Sequence, residues 1–252
     1  MKQLTPYQYL ARIYDYMQGD KFSARMVQYT FDILQRLKYS PHRVLDLCCG
    51  TGTAASIFAE CGMEVYGLDG SKEMLAVARE KFKGHKQKIK LYHQQMPDIR
   101  LPHLTGSLDM VTCYFDSLNY LLLKNDLLNT FKKTHDLLVR GGLFIFDMNT
   151  PWALENIWTK TYADERDDMA WIWKGDYSAA KQISRLKTTM FIKKGNGWLR
   201  YDEIHVERGY DNITVRRLLN RAGFKVKYLH DCFKFVAPGK NCTRIAVVAI
   251  KK

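Results

Sequence analysis

Apolar positions along the chain follow two periods in turn. Between residues 7 and 37, Tyr9, Ile13 and Met17, then Met26, Tyr29, Ile33 and Leu37, recur at helical spacing, and Gly19-Asp20 interrupts them, which predicts two helices. Val44, Leu45 and Leu47 then mark a short buried strand that runs into Gly50-Thr51-Gly52, with a helix from Thr53 to about Glu60. A second strand over 63–68 ends at Asp69, and Ser71 is a good N-cap for a helix carrying Met74 and Leu75. Strands over 89–94 and 108–114 follow, then an amphipathic helix over 126–138 ended by Arg140-Gly141-Gly142, then a fifth strand over 143–147. Strands that alternate with helices in this way predict an α/β fold.

Residues 151–208 abandon that alternation. Segments 171–173, 183–193 and 198–208 read as strands, the last two joined by the hairpin signal Gly195-Asn196-Gly197. Tyr201, Glu203, His205 and Glu207 share one side of the last strand by period two. Charged residues are mostly exposed, so a solvated sheet face is the plain reading, and an ionisable row that orients a substrate amine is the functional one. Asn212–Arg221 is the last helix, Ala222-Gly223-Phe224 turns into a sixth strand, and 244–250 is a seventh. The expected organisation is therefore N-terminal helices and a nucleotide-binding core over 1–150, an antiparallel insertion over 151–208, and the rest of the core over 209–252.

With 252 residues, 46% of them apolar, the chain suits one large domain with an elaborated lid. No apolar run approaches membrane-spanning length and the start, MKQLTPYQYL, has no secretory apolar region, so a cytoplasmic protein without membrane contact is expected. Six cysteines in a chain this long read as reduced thiols. Cys48-Cys49 has no partnering CxxC or His spacing, so no metal is expected. The net charge of +13 is spread along the chain, with short clusters only at 83–90, Lys132-Lys133, Lys193-Lys194 and Arg216-Arg217. That distribution favours a basic solvated surface that attracts acidic acceptors over a nucleic-acid groove, and a monomer or homodimer is expected.

The chemistry concentrates at VLDLCCGTGT, residues 44–53. Glycines there let the backbone approach a ligand, and free N–H groups at a helix start favour polar or anionic groups. Gly50-x-Gly52-x-x-Ala55, with Asp69 about 20 residues on, fits a dinucleotide pattern. Asp46 argues against it, because a carboxylate beside a pyrophosphate is repelled. A cofactor with a sulfonium and an ammonium suits that acid. DLCCGTGT resembles the first motif of class I S-adenosylmethionine methyltransferases, usually D/E-x-G-x-G-x-G, with Cys48 in place of the first glycine. LDGSKEML resembles the second motif of that family, and FDSLNYL and DEIHVERGY resemble a bacterial subgroup related to glycine and amino-sugar N-methyltransferases.

The resemblance spans nearly the entire chain. It implies a Rossmann-like seven-stranded mixed sheet with helices on both faces and an antiparallel β insertion over the active site. S-adenosylmethionine is the implied cofactor, S-adenosylhomocysteine the product, and a small-molecule acceptor, preferably an amine nitrogen, the implied substrate. Cofactor contacts are implied for Asp46, Cys48, Gly50, Thr51, Gly52 and Thr53, and for Asp69, Gly70 and Met74, with Asp69 on the ribose diol. Gln95 and Met96 would face the adenine, and the backbone around Phe115 and Asp116 the methionine ammonium. Tyr14, Asn119, Tyr120 and His205 are the catalytic candidates that would hold the acceptor. The plain readings beside these are a packed helical aromatic for Tyr14 and a turn cap for Asp116. Two alternatives stand apart: an RNA or DNA methyltransferase or RNA-binding module, which predicts steeply salt-dependent binding, and a nicotinamide-dependent oxidoreductase.

Overall fold

The computed structural model describes residues 6–17, 19–84 and 89–252. The start of MKQLTPYQYL and the middle of the basic cluster at 83–90 lie outside the described residues. Seven strands form one sheet: β1 (Arg43–Leu47), β2 (Glu64–Asp69), β3 (Lys90–His93), β4 (Leu108–Cys113), β5 (Leu138–Asn149), β10 (Phe224–Asp231) and β11 (Arg244–Lys251). Their order across the sheet is β10-β11-β5-β4-β1-β2-β3. The pairings are parallel except for β11, which runs antiparallel to both β5 and β10. The helices are α1 (Gly19–Leu37), α2 (Thr53–Glu60), α3 (Lys72–Lys81), α4 (Lys124–Leu137), α5 (Pro151–Asn156) and α6 (Asn212–Arg221).

Alternation along the strands divides the core between the two faces of the sheet. Val44 joins Met26, Ile33, Phe58 and Val248 on one side, where α1 and α2 pack. Its neighbour Leu45 joins Phe131, Phe144, Phe224 and Leu219 on the other, where α4 and α6 pack. Every residue of β1 from Val44 to Leu47 is buried, as a central parallel strand covered on both faces requires. The chain leaves β1 for β2 on one side and later returns to β4 on the other. The carboxyl ends of β1 and β4 therefore flank a topological switch point, where open α/β sheets bind their ligands.

A second sheet of four antiparallel strands holds β6 (Tyr162–Arg166), β7 (Met169–Ser178), β8 (Ile183–Lys194) and β9 (Gly197–Arg208) in that order. The Gly195-Asn196-Gly197 hairpin stands at the tip of β8 and β9. β6 has no apolar alternation in its sequence YADER and is a mostly exposed edge, which is why the hydrophobic pattern does not reveal it.

Boundaries differ from expectation in three places, the simplest being β7, which runs from Met169 to Ser178 where only 171–173 reads as strand. Residues 7–17 do not form a helix beyond one short 3-10 turn at Leu10–Arg12. The amides of Tyr7, Tyr9 and Leu10 donate instead to the carboxylate of Glu203 on β9, at 2.8, 2.7 and 3.0 Å, so a tertiary partner replaces the helical ladder. Further on, α4 ends at Leu137, and Leu138 is already extended against Leu108 of β4. Gly141, at φ +79°, supplies its left-handed turn inside the β5 segment and not at the end of the helix.

Candidate active site

A cavity of about 490 Å³ opens at the carboxyl ends of β1, β2 and β4. On its floor lies the turn after β1, where Cys48, Gly50 and Gly52 all have positive φ. A cysteine in the left-handed region is sterically disfavoured and persists only where its surroundings fix it. Here the fixing group is Asp69: its Oδ2 accepts the Gly50 amide and its Oδ1 the Ser71 amide, each at 2.8 Å. One carboxylate thus ties the end of β2 to the glycine turn and to the start of α3. Burial pushes its carboxyl above the ordinary aspartate value, against the pull of those N–H groups.

Asp46 lies deeper and is buried, with Oδ1 accepting the Thr112 hydroxyl of β4 at 2.9 Å. Burial raises its carboxyl to about 7, the Thr112 bond opposing and the nearby Asp69 charge adding to the rise. Thr51 faces the cavity, whereas Gly52 and Thr53 stand behind the turn. A Cβ on Gly52 would meet the Phe82 ring at 2.4 Å, and the Thr53 hydroxyl bonds Lys81 at 2.7 Å. Gly70, Met74, Gln95 and Met96 line the wall beyond Asp69.

The exit from β4 is the most strained segment of the site. Phe115 and Asp116 take successive positive φ values of +59° and +51°. Asp147, fully buried at the end of β5, accepts the Phe115 amide at 2.7 Å and the Asp116 amide at 3.0 Å. Arg244 on β11 bonds Asp147 and lies 2.7 Å from Asp116 Oδ1. The Asp116 side chain makes no cap bond to the 3-10 turn Ser117–Tyr120 that follows, so it is not the turn cap that its residue type allows.

Beside the large cavity lies a smaller one of about 80 Å³, and Tyr7, Tyr14, Phe115 and Tyr120 line both. Its other walls include Asp116, Trp158, Trp173, His205 and Glu207. A Cβ on Gly175 of β7 would meet the Trp158 carbonyl at 1.9 Å, so that glycine lets the segment carrying Trp158 lie directly on the strand. A hydrogen-bond chain runs from the Tyr7 hydroxyl to the Tyr120 hydroxyl and on to His205 Nδ1, 2.8 Å at each step. His205 Nε2 stands 3.4 Å from Glu203 Oε2. Burial works against ionised Glu203, yet His205 and the strand-capping amides of Tyr9 and Leu10 hold its carboxyl below the ordinary glutamate value. Tyr7, Tyr14 and Tyr120 are driven well above 10 by burial, so they are neutral hydroxyls at neutral pH and serve as donors or acceptors, not as bases.

Of the four residues expected at the acceptor, Tyr14, Tyr120 and His205 converge on the small cavity and Asn119 does not. Asn119 is fully buried: its amide donates to the Asn149 and Arg208 carbonyls at 3.1 and 2.8 Å, and its Oδ1 accepts the Asn149 amide at 3.1 Å. It ties the 3-10 turn to β5 and β9. Sequence reasoning missed Tyr7, Lys81, Asp147 and Arg244. Asp15 accepts from Thr51 at 2.7 Å and from Lys81 at 2.9 Å, which fastens the N-terminal segment across the glycine turn.

Acids at two adjacent strand ends, a glycine turn between them and a strap of chain above define a nucleoside-binding α/β enzyme. Comparison with known proteins narrows the class. A methyltransferase-domain family model matches residues 44–142. YqeM of Bacillus subtilis (strain 168), by designation a methyltransferase, is 32% identical over 211 residues, 83% of this chain and 84% of that protein. An S-adenosylmethionine-dependent methyltransferase from Clostridium acetobutylicum superposes with a TM-score of 0.87 at 25% identity, covering 97% of this chain and 98% of that one. CalS10, an amino pentose methyltransferase from Micromonospora echinaspora solved with S-adenosylmethionine bound, shares the fold over 100% of both chains, with a TM-score of 0.75 and 18% identity. The chain belongs to the class I S-adenosylmethionine-dependent methyltransferases. Among the described residues no helix is long and apolar enough to cross a membrane.

Proposed function

We propose that the enzyme methylates a nitrogen of a small-molecule amine. The observation that carries this reading is the small cavity: it opens from the large one, is walled by indoles and phenols, and has carboxyl groups in its lining. A pocket of that size takes the end of a small molecule, whereas a polynucleotide needs an extended basic groove. The amino pentose methyltransferase among the structural neighbours acts on a nitrogen-bearing sugar by its name, which is consistent with this acceptor class.

The residues present fit the cofactor. Asp46, whose carboxyl ionises near neutrality, suits a ligand carrying positive charge, and Asp69 at the end of β2 retains lone pairs for a ribose diol. Met74 and Met96 offer soft apolar contact for the adenine, with Gln95 at its edge. When bound, S-adenosylmethionine supplies an already activated methyl group, so the protein contributes orientation and exclusion of water. Tyr14 and Phe115 separate the two cavities, and Tyr120, held by Tyr7 and His205, presents a fixed hydroxyl to the acceptor.

The test uses S-adenosylmethionine with a labelled methyl group, offered with a panel of small primary and secondary amines and, separately, with total RNA. Label in the amine fraction is the expected result. Label in RNA alone would move the acceptor out of the small cavity.

A further inference from the structure

The four ionisable groups around the strained 115–116 turn do not balance. Asp116, Asp147 and Glu207 face one cation, Arg244, which lies against Asp147 and Asp116. Glu207 on β9 accepts the Asn149 side-chain amide at 3.0 Å through Oε2, and it lines the same cavity as Asp116. Burial, and after it the Asp116 charge, push the Glu207 carboxyl well above the ordinary glutamate value, so Glu207 holds a proton. Asp116 is buried, and its Oδ1 accepts no hydrogen bond of good geometry; His205 Nε2, also buried, is in the same condition. Both residues line the 80 Å³ cavity together with Glu207. Trp158 and Trp173, with ring centroids 5.9 Å apart, line the same cavity.

Carboxyl groups and indoles in the lining of one cavity are complementary to an alkylammonium ion, which gives N–H bonds to the first and cation–π contact to the second. We propose that the Glu207–Asp116 pair is the anchor and proton acceptor for a primary or secondary alkylammonium substrate, held between Trp158 and Trp173; this rests on the amine-methylation reading. Docking of the cation displaces the Glu207 proton to solvent. The ammonium then passes one N–H proton to the Glu207 carboxylate, the N–H bonding pair remains on nitrogen as its lone pair, and the carboxyl pair returns to its singly protonated state. A neutral amine with its lone pair free for attack is left in the pocket, and an ammonium has no such lone pair.

The titratable groups that face Glu207 are Asp116 and Tyr120 from the β4 exit, Arg244 from β11 and His205 from its own strand, with Asp147 behind Arg244 and Tyr7 and Tyr14 across the cavity. The tyrosines are neutral below pH 10, which leaves Glu207, whose carboxyl is raised by burial and then by the Asp116 charge, as the group whose proton an arriving cation displaces.

The experiment is ligand-observed NMR on the enzyme saturated with S-adenosylhomocysteine, titrated with ethylammonium and, as the neutral counterpart of similar size, n-propanol. Wild type is expected to bind ethylammonium in preference to n-propanol, with affinity rising by up to tenfold per pH unit until the pair is ionised, because one proton leaves on binding. Glu207→Gln retains an oxygen for Asn149 and places an amide N–H2 toward Asp116, so it is expected to fold. It should weaken ethylammonium at least tenfold, flatten the pH dependence and leave S-adenosylhomocysteine affinity within twofold. Equal binding of n-propanol, an unchanged ethylammonium affinity in Glu207→Gln, or a variant that loses S-adenosylhomocysteine instead would overturn the proposal while amine methylation stands. Label found only in RNA in the methylation assay removes the amine reading and this proposal with it.

Discussion

The two halves of the cleft are made of different material. The cofactor half is mostly backbone and strand-end carboxylates supplied by one contiguous run, β1 to α3, and the Asp69 bonds that fix its turn join residues 2 and 19 positions apart, to Ser71 and Gly50. The acceptor half is mostly side chains drawn from the N-terminal segment, the β4 exit, the Trp158–Trp173 region and β9, and its bonds cross 85 to 196 positions. A site built from backbone inherits its precision from the sheet. One built from distant side chains depends on the groups that bring the segments together, and those groups are where it can be broken.

The largest effect is expected at Asp147, which serves both halves. Asp147→Ala leaves Arg244 without its buried partner and frees the amides of two left-handed residues, at a cost of about 3–5 kcal/mol. Chemical denaturation checks it, and a loss below about 1 kcal/mol would show that Asp116 alone neutralises Arg244. Next comes Glu203→Ala, which strips three amides of the strap of their acceptor; a cost of about 2–3 kcal/mol, with protease cleavage confined to the segment before α1, is expected. Uniform cleavage across the fold would mean that the strap is not a separate unit.

Asp69→Ala is expected to weaken S-adenosylmethionine at least tenfold by calorimetry, about 1.4 kcal/mol, and to lower the melting temperature as well, since Gly50 and Ser71 lose their acceptor. Retained affinity would remove Asp69 from the cofactor site. The smallest effect concerns Asp46. Its carboxyl, raised to about 7, is protonated below that pH and ionised above it, and a cation prefers the ionised form. Affinity for S-adenosylmethionine should therefore fall by up to tenfold from pH 7 to pH 6, and Asp46→Asn should remove that dependence. A flat wild-type profile between those values would detach Asp46 from the cationic part of the ligand.

The same contrast decides what was legible in the sequence. The glycine turn, Asp46 and Asp69 lie within a stretch whose hydrophobic period, turn residues and N-cap agree, so local rules place them before any tertiary contact is known. The parallel sheet follows from the same alternation. Residues 7–17 carry a helical pattern as well, but Glu203, nearly two hundred positions away, takes their amides, and no local rule contains that partner. Asn119 sits in a stretch that points to chemistry, yet its amide is taken up by carbonyls of Asn149 and Arg208, which only the assembled fold brings near. Glu207 reads as one charge in a period-two row and becomes distinctive only when β9 sets it against Asp116. β6 left no signal because an exposed edge strand has no apolar face to show.

The N-terminal strap has one dry end and one wet end. At Glu203 it is fastened by a fully buried carboxylate with three amide donors, and at Asp15 by a partly exposed ion pair to Lys81, side chains 29% and 28% accessible. Exposed pairs contribute about 0–1 kcal/mol and weaken with salt, whereas buried charge-assisted bonds contribute more and resist it. Added salt should therefore loosen the strap at Asp15, over the glycine turn, before it loosens the strap at Glu203.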